Sequence, residues 1–218
     1  VIDYNPPTHT DLNILYLDDS LIVVDKPTGL LSVPGRGEDK HDCMITRVQA
    51  EFPDALIVHR LDMGTSGIMV MARGKTMERS LSILFQNRQV HKRYAAVVTG
   101  KVSPTRGEIN LPLMTDWPNR PRQIVSFEWG KPSQTRYQVL AYDAVADTTR
   151  VDLEPLTGRT HQLRVHLQAL GHPILGDELY ADPIICAQAA RLLLHAAAIC
   201  FPHPQSGEIL TINSPIPF

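Results

Sequence analysis

The chain has 218 residues, of which 43% are hydrophobic and 20% charged, with a formal net charge of −2. This is the composition of an ordinary soluble globular protein, long enough to bury one sizeable core. No apolar run approaches the roughly 20 residues of a membrane span, and no basic start leads into an apolar leader. Cys43, Cys186 and Cys200 are odd in number, widely spaced and without a CxxC pair. They read as small core residues in a reducing cytoplasm, against a disulfide framework or a cysteine zinc site.

The first dozen residues, VIDYNPPTHTDL, are polar, carry Pro6-Pro7, and read as an arm. Ile14–Leu17 and Leu21–Val24 flank Asp18-Asp19-Ser20 as a β-hairpin, and Lys26-Pro27-Thr28-Gly29 stops the second strand. Asp42 is placed to cap a helix running to about Phe52, with Met44, Ile45, Val48 and Phe52 on one face. Strands are expected near 55–59 and 67–72. Between them lies His59-Arg60-Leu61-Asp62-Met63-Gly64-Thr65-Ser66-Gly67, a charged turn or a site. A helix from about Lys75 to Arg88 turns Leu81, Leu84 and Phe85 inward.

The second half is richer in strands, at 94–98, 135–142, 150–154 and 209–212, with a buried run at Leu192-Leu193-Leu194. Thr160 to Leu170 reads as a helix ended by Gly171 and Pro173. Strands neighbour strands more than they alternate with helices. The fold class is therefore α+β, with a mixed or antiparallel sheet flanked by helices. No break in composition is long enough for a linker.

Charge is unevenly spread. Up to Lys26, five aspartates face a single base. From Arg73 to Arg93, the bases Arg73, Lys75, Arg79, Arg88, Lys92 and Arg93 face Glu78 alone. Arg120, Arg122, Lys131 and Arg136 form a second basic stretch with Glu128. A nearly neutral protein can present one basic face to a phosphate backbone; a solvated helix surface is the other reading of the first run.

Glycine-rich nucleotide loops, a Walker lysine and a Gly-x-Ser-x-Gly elbow are missing. The nine histidines lack His-Glu-x-x-His. His161 and His166 are five apart, which on a helix turns them away from one another, so a metal site is not expected. Asp62 follows an apolar strand, and an ionised carboxylate so anchored needs a cationic partner. Arg164, in Gly158-Arg159-Thr160-His161-Gln162-Leu163-Arg164-Val165-His166, can supply one. Two unrelated surface charges remain the alternative.

His-Arg-Leu-Asp-Met-Gly-Thr-Ser-Gly at 59–67 resembles the motif of pseudouridine synthases of the RluA type. Other blocks agree in order: Asp25-Lys26-Pro27-Thr28-Gly29, Lys92-Arg93-Tyr94, 158–166, Gly171-His172-Pro173-Ile174-Leu175-Gly176-Asp177, and Leu192-Leu193-Leu194-His195-Ala196. Asp25 stands where Asn is common. Leu30–Arg36 and Asp116–Pro121 are similar to the short members acting on both 23S rRNA and tRNA. The resemblance implies one catalytic domain over 13–218, behind an arm at 1–12 and without an S4-like domain, with a central RNA-binding cleft.

It further implies isomerisation of uridine to pseudouridine in 23S rRNA and tRNA anticodon stem-loops, without metal or cofactor, by a cytoplasmic enzyme expected to be a monomer. Asp62 matches the catalytic aspartate, Tyr94 the tyrosine that stacks on the base and handles the C5 proton, and Arg164 the arginine paired with the aspartate. Arg60 matches the arginine that fills the vacated base stack. RNA or substrate contacts are expected of His59, Thr65, Lys92, Arg159, His161, Gln162 and Leu194. A non-catalytic RNA-binding protein and a histidine-metal hydrolase are the competing classes.

Overall fold

The structure, a computed structural model, describes residues 4–218 apart from the side chain of Glu38. Residues 1–3 of the expected arm lie outside the described residues. The chain divides into two compact units: residues 1–92 with 196–217, and 93–195 with Phe218.

In the first unit, β1 (Ile14–Leu17) and β2 (Leu21–Lys26) form the expected hairpin. Its turn is closed by Asp18, whose Oδ1 accepts from the Ser20 and Leu21 amides at 2.7 and 2.8 Å. Then come α1 (Met44–Glu51), β3 (Ala55–Ile57), β4 (Ser66–Arg73) and α2 (Gly74–Gln86). The second unit takes most of β5 (His91–Thr99), then β6 (Arg106–Asn110), β7 (Leu113–Thr115), β8 (Gln123–Val125), β9 (Gln134–Asp143), β10 (Thr148–Pro155), α3 (Gln162–Ala169) and α4 (Pro183–Cys186). β11 (Leu194–Pro202), from Ala196 onward, and β12 (Ile209–Asn213) return to the first unit.

The first unit orders its strands β1-β2-β4-β11, with β12 beside β11 and β3 beside β4. The sequence dictates this centre: β4 is apolar on both faces, and Ile68 to Ala72 are all at most 2% exposed. Such a strand must be covered twice. One face packs with Leu21, Val23, Leu81 and Phe201, the other with Ile22, Val24, Met44 and Val48. Each fully buried aliphatic side chain contributes roughly 1.5–3 kcal/mol. The α2 residues Leu81, Leu84 and Phe85 point inward as their spacing requires.

Asp42 does not cap α1. The N-cap is Cys43, and the Thr46 hydroxyl accepts from its amide at 3.0 Å. Asp42, one residue too early to reach the helix amides, instead holds Arg47 through contacts of 2.7 and 2.8 Å. That pairing keeps the Asp42 carboxyl below the usual carboxylate range. Arg47 also donates to the Pro7 carbonyl at 2.6 Å, and the Tyr4 hydroxyl donates to that of Asp42 at 2.7 Å. The described part of the arm is thereby tied to its unit.

The second unit orders β5-β10-β9-β6, each pair antiparallel. β10 alternates as its sequence reads: Thr149, Val151, Leu153 and Pro155 are buried, with less buried residues between them. β7 and β8 form a separate two-stranded sheet. The helix expected from Thr160 starts at Gln162, because His161 adopts a left-handed conformation (φ 54°). It stops as expected. Gly171 (φ 85°) and His172 return their amides to the Gln168 and Leu167 carbonyls at 2.9 and 3.0 Å. β6, β7, β8 and α4 were not foreseen; they are short and flanked by Pro and charged residues, so they carry little periodic signal.

Candidate active site

The segment 58–65 leaves β3 and re-enters the sheet as β4. The register setting Ile57 against Met71 would next bring Val58 opposite Val70. Instead, Nε2 of His59 accepts the Val70 amide at 2.9 Å, so an imidazole takes the place of a strand carbonyl. The ring stacks on Phe85, with centroids 4.9 Å apart. Burial, and then the Lys92 ammonium, push the His59 pKa down to about 3, so it is neutral and free to accept. Lys92 is itself pushed down by burial.

Asp62 sits on a turn whose backbone is held from both sides. The Thr65 amide donates to the Asp62 carbonyl at 3.1 Å. The Ser32 hydroxyl donates to the Leu61 carbonyl at 2.6 Å and accepts from the Leu61 amide at 3.0 Å. On the other side, the Gly29 amide reaches the Met63 carbonyl at 2.9 Å, and the Thr28 hydroxyl reaches that of Gly64 at 2.7 Å. Lys26 is fully buried, and its ammonium donates to the carbonyls of Leu30, Pro27 and Met63 at 2.6, 2.9 and 3.2 Å. The Lys-Pro-Thr-Gly block is thus a brace for the Asp62 turn. These contacts are to backbone, so they fix the position of the turn that carries the carboxylate.

Ser32→Ala leaves both polar groups of Leu61 without this partner, at a cost of about 1–3 kcal/mol. Slackening the turn by a fraction of an ångström is expected to slow saturated single turnover by roughly 10- to 100-fold. An unchanged rate in Ser32→Ala would show that the brace does not set the position of Asp62.

Gly67 ends the motif at φ 112°, and a Cβ there would strike the backbone of Ala196 in β11. Only glycine lets the two strands meet so closely. Arg60 is exposed, Asp62 partly buried, and Thr65 2% exposed.

The second unit carries Tyr94, Arg159, His161, Gln162, Arg164 and Leu194. Tyr94 lies on β5 opposite Leu153 and packs against that unit's core, leaving part of the ring accessible. Leu194 is 3% exposed within the same core. Arg164 is 7% exposed, and Asp177, 1% exposed, grips it with two contacts: Nε to Oδ2 at 2.8 Å and a terminal nitrogen to Oδ1 at 2.7 Å. Asp177 Oδ1 also accepts from the Leu179 and Tyr180 amides at 3.0 and 3.1 Å. Asp177 closes the block at 171–177 quoted from the sequence, yet nothing in the sequence pointed to its role.

Gln162 is held on all sides by the second unit. Its Oε1 accepts from the Thr157 hydroxyl and the Arg159 amide at 2.7 and 3.0 Å. Its Nε2 donates to the Gln134 carbonyl and the Thr135 hydroxyl, both at 3.0 Å. An amide side chain has four hydrogen-bonding positions. All four are used inside the protein, and the residue is 4% exposed. His161 shares a 2.6 Å hydrogen bond with the Tyr180 hydroxyl. His166, on the same helix, is fully buried against Thr135, Ser133 and the Leu111 carbonyl. The two histidines therefore face different surroundings. Among the described residues no group of three or more His, Cys, Asp or Glu could hold a metal.

Of the two basic stretches, Lys75, Arg79 and Arg88 are exposed on and after α2, with Lys75 paired to Glu78 at 2.9 Å. Arg120 and Arg122 are exposed beside β8, whereas Arg136 is shared between Glu108 and Glu154 at 3.2 and 3.8 Å. No helix among the described residues is long and apolar enough to cross a membrane.

Residues 20–169 match the family model described as RNA pseudouridylate synthase. The dual-specificity RNA pseudouridine synthase RluA of Escherichia coli strain K12 is 53% identical over 216 residues, covering 99% of this chain and 98% of that protein. Its namesake from Vibrio parahaemolyticus is 52% identical over 221 residues, covering 100% and 88%. The solved structure of human RNA pseudouridylate synthase domain containing 1 superposes with a TM-score of 0.81 at 31% identity, over 98% of this chain and 87% of that one. With the braced aspartate turn and the motif blocks in this fold, the chain belongs to the RNA pseudouridylate synthase family and is an isomerase.

Proposed function

We propose that residues 13–218 form a catalytic domain that converts specific uridines of 23S rRNA and of tRNA anticodon stem-loops to pseudouridine. The observation carrying this reading is the Asp62 turn, held by backbone contacts to Leu61, Met63 and Gly64. The choice of RNAs is supported by the similarity to dual-specificity enzymes along nearly the whole chain. The enzyme acts in the cytoplasm as a monomer, with no metal or cofactor.

A uridine in a folded RNA must first leave its stack, at a cost of a few kcal/mol. Arg60 is exposed, and its planar guanidinium can occupy the vacated space while the basic stretches hold the stem. Asp62 takes the C2′ proton as the N1–C1′ bond breaks, leaving a glycal and a detached uracil. The base turns, C5 bonds to C1′, and the proton returns to C2′. Tyr94 stacks on the base and relays the C5 proton, which ends on nitrogen. Arg164, oriented by Asp177, is the arginine that serves Asp62 in this reading.

The test is incubation with anticodon stem-loops and a 23S rRNA fragment, followed by carbodiimide and reverse-transcription mapping. Site-specific stops in both RNAs are expected. RNA binding without modified uridine would instead support a non-catalytic binding protein. In the same assay Tyr94→Phe should bind normally but turn over at least about 100-fold more slowly. A wild-type single-turnover rate would remove Tyr94 from proton transfer.

A further inference from the structure

Residues 111–133 form a small outgrowth of the second unit. β7 and β8 are three residues each and form a sheet of their own. An isolated two-stranded hairpin is marginal in water, so its orientation must come from the structure on which it rests. Its surface is rich in rings and cations. Trp117, Phe127 and Trp129 are 62%, 80% and 72% exposed, and the Arg120 guanidinium lies 3.9 Å from the Trp117 centroid.

His166 of α3 meets the base of this segment at Leu111 and Ser133, and Tyr180 ties its β8 strand to the start of the same helix. The Tyr180 hydroxyl accepts from the Gln123 amide of β8 at 2.8 Å and shares the 2.6 Å hydrogen bond with Nδ1 of His161. Its ring packs with Leu113 of β7 and Val165 of α3. The Arg164 and Arg122 guanidinium carbons lie 5.0 and 5.5 Å from the ring centroid, within cation–π range. The hydroxyl therefore addresses the hairpin backbone and the start of α3, while the ring addresses Arg164.

We propose that Tyr180 is a positioning residue that registers the 111–133 hairpin on the helix bearing Arg164, so that RNA gripped by the hairpin is presented in register with the catalytic arginine. This rests on the reading that Arg164 serves Asp62. The two halves of the side chain are separable. Tyr180→Phe keeps the ring against Arg164, which Asp177 still grips, and deletes the hydroxyl with its bonds to Gln123 and His161.

The half-saturating concentration of an anticodon stem-loop in single-turnover assays should rise about fivefold, as the loss of one net hydrogen bond would give. The rate at saturation should stay within about twofold of wild type, since the ring and Asp177 still hold Arg164. Deuterium exchange of the peptide containing Gln123 should quicken, with β9 and β10 unchanged. A general loss of stability would not produce this split. Wild-type half-saturation and exchange in Tyr180→Phe would overturn the proposal, as would a loss confined to the saturated rate with the hairpin still protected. The exchange measurement needs no turnover, so it decides the role of Tyr180 even if wild type makes no pseudouridine, the result that would sink the functional reading.

Discussion

Asp62→Asn is expected to reduce pseudouridine formation by at least about 10³-fold while leaving RNA affinity within a few-fold of wild type. The separation follows from the geometry. The turn is held through the carbonyls of Leu61, Asp62, Met63 and Gly64 and the Leu61 amide, none of which the substitution alters. Asparagine has nearly the same shape, so the turn should persist while the carboxylate is lost. Arg60 and the exposed cations of α2 and the β7–β8 hairpin, to which the proposed function assigns binding, are unchanged. Filter binding and mapping on the same purified variant check both halves. Appreciable turnover by Asp62→Asn would remove the catalytic assignment. Equal loss of binding and turnover would make Asp62 a structural residue.

Asp177→Ala should strongly destabilise the second unit. Both partners of the Arg164–Asp177 pair are almost fully enclosed, with side chains 8% and 0% exposed, so solvent screening offers little relief. Removing the carboxylate strips Arg164 of two charge-assisted contacts and leaves the Leu179 and Tyr180 amides without their acceptor. Breaking a buried pair from one side costs about 3–5 kcal/mol. In a chain of this size that is a fall in Tm of roughly 10 °C. Activity should fall as well, because a guanidinium no longer aimed cannot hold a partner. Asp177→Asn, which retains an oxygen for the two amides, should recover part of the stability. A Tm for Asp177→Ala within about 2 °C of wild type would show that Arg164 is held by other means.

Much of this was legible without coordinates. The strands at 14–17, 21–26, 66–73, 134–143 and 148–155 follow from runs and alternations whose periods are set by the backbone itself. The Gly171 stop of α3 follows from a local rule of the same kind. The error at Asp42 has an equally local cause: a capping preference tolerates a shift of one residue, and Cys43 with Thr46 took the position. The motif blocks pointed to the family because their order and spacing are properties of the chain alone.

What tertiary structure decided is who touches whom. Ser32 meets Leu61 across 29 residues and Lys26 meets Met63 across 37. Arg164 meets Asp177, 13 residues on, a pairing that no motif spacing announced. Gln162 meets Thr157, Arg159, Gln134 and Thr135. The physical reason is common to all four. A polar group carried into the interior must be satisfied wherever packing places it, and its partner is set by a distance in space that no spacing along the chain encodes.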